Sequence, residues 1–166
     1  ASDMPPAHLV AGTMSSRMVD AAKTQILFPY FLRSDALAEE CYRRLVLTRL
    51  GSPEAHLTTA EVVGYLAILS ESHRELSKWS DYLRLRWSRG FLALLRHFGL
   101  MERHPRTQLR HLWLLPEAFA FFWLWLWQQD SSSWKAERSE LWELFQVDER
   151  RKNELLAEGE LHHWWC

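Results

Sequence analysis

The stretch that most limits what this chain can become is AFAFFWLWLW, residues 118–127. Its ten positions carry no charge, and tryptophan recurs at 123, 125 and 127. As a helix it would be about 15 Å long, half of a ~30 Å hydrocarbon layer, so it is too short to span a membrane. Glu117 and Asp130 close it on either side, and Gln128 and Gln129 do not extend it. Alternating tryptophans would also suit a strand. Pro116 as a first helical residue, followed by Glu117, Ala118 and Phe119, favours a helix. A helix that is apolar all round is buried among others. The expectation is a core helix with one or two tryptophan edges at an interface.

The rest of the chain supplies the other helices. SRMVDAAKTQILFPYFLRSDALAEECYRRLVLTRLG reads as mainly helical, with Pro29 as a break or kink and Gly51 as a C-terminal stop. Thr58-x-x-Glu61 is a capping-box pattern that opens a helix with Val62, Leu66 and Leu69 on one face. On a helix from Arg86 to Phe98, Trp87, Phe91, Leu94, Leu95 and Phe98 fall within about 80° of one another. Arg86, Arg89, Arg96 and His97 fall on the opposite side. Gly90 weakens that helix locally, a sign either of close packing or of nothing. Gly99 stops it, and LMER, the turn HPRTQ and LRHLWLL follow as a plausible β-hairpin. Helix, helix and hairpin is the order of a winged helix-turn-helix; a helical bundle with an irregular loop fits the same letters. WKAERSELWELF reads as an amphipathic helix, and Asp148 to about Ala157 as another, stopped by Gly159.

The fold class is therefore mainly α, a helical bundle with a winged helix-turn-helix-like unit around residues 58–115. Residues 1–15, with Pro5, Pro6 and Gly12, read as a flexible leader. Residues 16–166 read as one domain, with sub-units at 16–57, 58–115 and 116–166.

Charge is unevenly spread. From His73 to His111 nine bases (Arg74, Lys78, Arg84, Arg86, Arg89, Arg96, Arg103, Arg106, Arg110) face three acids, a local +6 with four histidines besides. From Asp130 to Glu160 nine acids face five bases, a local −4. The total of −1 conceals a basic middle and an acidic end. Such a middle points to an anionic partner, against the blander reading of a solvated helix face.

Enzyme signatures are missing. There is no glycine-rich phosphate loop, nucleophile elbow, H-E-x-x-H or Cys-x-x-Cys. Cys41 and Cys166 suit a reducing compartment and give no disulfide framework. Cys41, in an amphipathic pattern beside Tyr42, reads as a small core residue. His162, His163 and Cys166 form the nearest approach to a metal cluster. Adjacent histidines on an extended tail point to opposite sides, so a solvated tail is the expectation. The N-terminal residues lack the charged start and apolar run of a secretory signal, so the expected location is the cytoplasm, with no cofactor.

Taken together, AAKTQIL, SKWSDYLRLRWSRGFLALLRHFGLMER, LLPEAF and LWELFQVDERRKNELLAEGEL resemble the BrxA family of bacterial BREX phage-exclusion systems. The resemblance covers most of the chain from about Ser16. It is carried by Trp79-Ser80, Phe98-Gly99-Leu100, Leu115-Pro116-Glu117, Trp142 and Leu144-Phe145. It implies a small, non-enzymatic, mainly helical protein that binds double-stranded DNA, on a scaffold likened to the RNA-binding antitermination factor NusB. On that reading Arg86, Arg89 and Arg96 meet phosphates from one helix face, Arg103, Arg106 and Arg110 add the turn, and Lys78 joins from the preceding segment. A scaffold docking onto the methyltransferase or other large BREX subunits through its tryptophans, an RNA-binding role and a homo-oligomer stay open.

Overall fold

The computed structural model describes residues 4–52, 54–129 and 136–162. The described residues are mainly helical, contain no strand beyond isolated bridges, and group into two compact units: residues 1–34 with 113–166, and residues 35–112. The sequence suggested divisions at 15, 57 and 115 within one domain; the two compact units change over at 34 and 112. Within residues 1–15, Ala7–Met14 forms helix α1, with Val10 buried. The Tyr30 hydroxyl donates to the Pro5 carbonyl at 2.6 Å, which ties this segment to α2, Asp20–Ser34.

In the first unit α2 and α1 join α7 (Pro116–Gln129), α8 (Leu141–Leu144) and α9 (Glu149–Leu161). Pro116 opens α7 as the sequence indicates. The apolar run makes the core: Phe119 and Phe122 are fully buried, and Trp123 nearly so. Phe122 lies 5.6 Å from Phe145, and Phe119 lies 5.0 Å from Trp142, ring centre to ring centre. Such offset and tilted pairs add to the burial of the rings. Of the tryptophans in the run, Trp127 is half exposed; Trp113, which precedes the run, is exposed as well. Gln25 fixes the start of α7 by donating to the Trp113 carbonyl (2.9 Å) and accepting from the Leu115 amide (2.8 Å). No helix among the described residues is long and apolar enough to cross a membrane.

One local reading is narrowed here and two need correction. Pro29 lies inside α2 and is buried, so of break and kink the break is excluded; the division falls later, at Asp35, whose carboxylate caps the amides of Leu37 and Ala38. Gly159 does not end α9, which continues to Leu161 with Gly159 buried on the face that also buries Lys152 and Leu155. The helix read over 134–145 is interrupted at Ser139, whose hydroxyl accepts from the Leu141 amide and competes with helical bonding. Trp134, Lys135, His163 and Cys166 lie outside the described residues.

In the second unit α3 (Ala36–Cys41) runs into a π-helical segment, Tyr42–Leu47, and α4 (Thr59–Ser72), α5 (Arg74–Ser77) and α6 (Asp81–His97) follow. The capping box forms as read: the Thr58 hydroxyl accepts from the Glu61 amide, and the Glu61 carboxylate accepts from the Thr58 amide. Burial pushes the Glu61 carboxyl up. The Thr58 hydroxyl and amide, with Arg49, outweigh it and hold the group below its usual range. Val62 and Leu66 of α4, with Phe91, Leu92 and Leu95 of α6, supply this unit's buried apolar faces. The hairpin is present as minimal pairing rather than strands. Met101 bridges Leu109, and on its other side this segment is bridged through Gln108 to His56, both antiparallel.

Candidate nucleic-acid interface

Residues 35–112 hold the chain's positive charge, with twelve Lys and Arg against nine Asp and Glu, +3. The remainder carries eight against twelve, −4. The basic middle of the sequence is thus part of one compact unit.

Helix α6 organises this surface. Ser80 caps its start by accepting from the Leu83 amide. Its buried stripe is Phe91, Leu92 and Leu95 with Ser88, while Trp87 is half-buried and stacks on Phe91 at 5.4 Å. Opposite that stripe, Tyr82, Arg86, Arg89, Ala93 and His97 are exposed, all within about 100° of arc on a 3.6-residue helix. Gly90 is exposed beside them, and a Cβ there would meet nothing within 4 Å. Packing among the described residues therefore does not require glycine at this position.

The helix ends in a left-handed stop. Gly99 has φ +78°, its amide donates to the Arg96 carbonyl (3.1 Å), and the Leu100 amide donates to the Leu95 carbonyl (2.8 Å). This is the Schellman arrangement, in which only glycine takes the positive φ without steric cost. Leu95 and Leu100, the apolar pair that goes with it, are both fully buried. The chain then turns back on the helix end. Arg96 donates through Nε to the Glu102 carbonyl (3.1 Å) and through a terminal nitrogen to the Arg106 carbonyl (3.2 Å). Backbone bonds from Glu102 to Gln108 (2.9 Å) and from Arg110 to Leu100 (2.8 Å) close the turn. On the far side, Leu57 to Thr107 (2.9 Å) and Leu109 to Ala55 (2.8 Å) fasten it to residues 55–57.

Arg96, Arg103, Arg106 and Arg110 line one hollow of about 470 Å³, together with His104 and Glu102. The Glu102 carboxylate accepts from Arg110 at 2.8 Å and from Arg106 at 3.1 Å. These guanidiniums, Arg110 first, hold its carboxyl below the usual carboxylate range.

The seven residues picked from sequence therefore divide into groups. Arg86 and Arg89 are exposed on α6 and Arg103 on the turn, and none of the three has a side-chain partner among the described residues. Arg106 and Arg110 are exposed but share Glu102. Arg96 is half-buried and serves as a clasp for the turn. Lys78 is apart from the hollow, paired with Glu75 at 2.7 Å. Two residues of this surface escaped the sequence reading. Tyr82, 71 % exposed, lies one turn before Arg86, and a helical wheel begun at Asp81 would have shown it. Glu102 carried no local signal, because its partners come from four and eight residues further on.

Cys41 is wholly buried and its thiol is pushed up to about 12, first by that burial and then by Glu40 and Asp35. It is a core residue whose burial favours the protonated thiol. Among the described residues no group of three or more His, Cys, Asp and Glu is placed to hold a metal ion.

Compared with known proteins, a family model described as BrxA matches residues 11–123, about two thirds of the chain. No curated protein and no solved structure matches it.

Proposed function

The chain belongs to the BrxA family of BREX phage-defence proteins, and on that premise we propose that it is a non-enzymatic component that binds double-stranded DNA, chiefly through phosphates. The observation that carries this reading is the unpartnered set Arg86, Arg89 and Arg103 on the exposed face of α6 and the adjoining turn. In a unit of net +3, these cations have no acid of their own among the described residues.

The order of segments supports it. The π-helical segment, residues 55–57, α4, α6, residues 100–102, the basic turn and residues 107–110 follow a winged helix-turn-helix in sequence, with the short α5 falling between α4 and α6. The two antiparallel bridges join those short segments as a wing's base would. On this reading α6 takes the recognition helix's place and the turn the wing's. Its exposed face combines two arginines with the small residues Gly90 and Ala93, so a phosphate backbone can approach closely.

The test is a salt titration of labelled duplex. Five contacts (Arg86, Arg89, Arg103, Arg106, Arg110) predict that log K falls with log salt at a slope near −4.5. A slope near −1 rules the surface out. Competition by structured and single-stranded RNA in the same assay separates a NusB-like role from a duplex-binding one. A second reading rests on a different surface. Trp113 is 64 % exposed in the acidic unit, and a docking role toward other BREX subunits would use it with Trp127.

A further inference from the structure

Within the hollow at the end of α6, the position of Glu102 has a consequence for binding. Its side chain is 13 % exposed, whereas those of Arg106 and Arg110 are 76 % and 62 % exposed. The acid lies inside and the two cations lean over it from solvent. Each carboxylate oxygen receives one guanidinium nitrogen: Oε1 from Arg110 and Oε2 from Arg106. Two non-bridging phosphate oxygens would be held by the same pair of donors.

Neither arginine uses its fork on Glu102. Each offers a single nitrogen and leaves its remaining N–H groups unengaged by that acid. A phosphate can take two parallel N–H bonds from a guanidinium, so it has more to gain from either side chain than the carboxylate does. Because both cations are largely exposed, a phosphate can reach them from solvent. Arg96 does not compete, because its bonds to the carbonyls of Glu102 and Arg106 hold the hollow's wall. Four guanidiniums face one carboxylate here, so the hollow remains cationic with Glu102 in place.

We propose that this hollow is a phosphodiester-binding site and that Glu102 is its resident counter-anion, holding Arg106 and Arg110 until a phosphate displaces it. The proposal deepens the duplex-binding reading and rests on it for the source of the phosphate. Glu102 thereby weakens binding to any polyanion and keeps the two arginines from adventitious anions.

The experiment compares the full chain with Glu102→Gln. Glu102→Gln removes the charge, keeps the size and retains one acceptor. Titrated with labelled duplex, it is expected to bind about three- to tenfold tighter at low salt, with a slope steeper by about 0.9. Equal or weaker binding by a variant that melts like the parent overturns the proposal. A second measurement needs no variant: inorganic phosphate, titrated at low ionic strength, is expected to move the Nε–Hε resonances of Arg106 and Arg110. If those resonances move but neither protein binds duplex, the anion site stands and the DNA reading falls. If duplex binds and those resonances stay still, the DNA reading stands and the hollow is not its phosphate site.

Discussion

Arg89 and Arg96 fall on one side of the same helix in sequence, yet they should behave oppositely when removed. Arg96 donates to two backbone carbonyls, one part-buried at 3.1 Å and one exposed at 3.2 Å. A charged donor on a part-buried carbonyl contributes about 1.5 kcal/mol, and an exposed one about 0.5 kcal/mol, so Arg96→Ala should cost about 2 kcal/mol. If the whole chain melts together that lowers Tm by about 4–8 °C, and by about twice as much if residues 35–112 melt as their own unit. Arg89 is exposed with no partner among the described residues, so Arg89→Ala should stay within about 0.5 kcal/mol of the parent.

Binding should invert the order of directness. Arg89→Ala removes one phosphate contact, which weakens duplex binding several-fold and reduces the salt slope by about 1 without altering the melt. Arg96→Ala weakens binding only together with the loss of stability, because the turn it clasps is released. Arg96→Lys keeps the charge but not the fork, and one ammonium cannot reach both carbonyls in the same way. It should melt close to Arg96→Ala. Thermal melts followed by circular dichroism, run beside duplex titrations, read both quantities on the same samples. If Arg96→Lys melts like the parent while Arg89→Ala melts early, the assignment of clasp and contact is wrong.

Other outcomes follow from the same geometry. Gly90 is exposed in mid-helix with open space where a Cβ would go, so Gly90→Ala should stabilise the protein by about 1 kcal/mol and raise Tm by about 2–4 °C; an unchanged or lower Tm would show that the space is needed. At alkaline pH, Cys41 rises from 9.0 and Tyr30 from 10.0, both to about 12, each chiefly by burial. The fold therefore prefers their protonated forms, and the unfolded chain loses those protons first. Stability should be full below about pH 9 and fall as pH climbs toward 12, which urea midpoints measured across that range will show; a rise would contradict it.

Much of the scaffold was legible because it is written in local pattern. The capping box at Thr58 and Glu61, Pro116 at the first position of α7 and the glycine stop at 99 each need only neighbours within a turn or so. The apolar stripe of α6 was legible in part: Phe91, Leu95 and Phe98 are buried, whereas Trp87 and Leu94 are half-buried and the buried Ser88 and Leu92 were not picked. What failed depends on distant parts of the chain. Gly159 looked like a stop because its letter favours one, but burial of that helix face overrides the preference. Pro29 read as a break or a kink, and the break is excluded because α2 continues through it to Ser34. A wheel put Arg96 on the solvent side of α6. It could not show that the chain after Gly99 doubles back and offers two carbonyls to that guanidinium. Glu102, in the short segment LMER, became a member of the site only through that reversal.

The same reversal explains how a chain of net charge −1 and pI ≈ 6.8 could engage a polyanion. Exposed charges more than about 8 Å apart are largely screened at physiological ionic strength. A phosphate at α6 or its turn therefore responds to the guanidiniums in reach rather than to the net charge of the whole molecule. Folding the turn onto the end of α6 converts charges spread over twenty-five residues of sequence, Arg86 to Arg110, into a local field. Arg96 fixes the shape of that field and Glu102 trims its strength. Uniformly distributed cations in the same number would give no such local excess, so the arrangement matters more than the count.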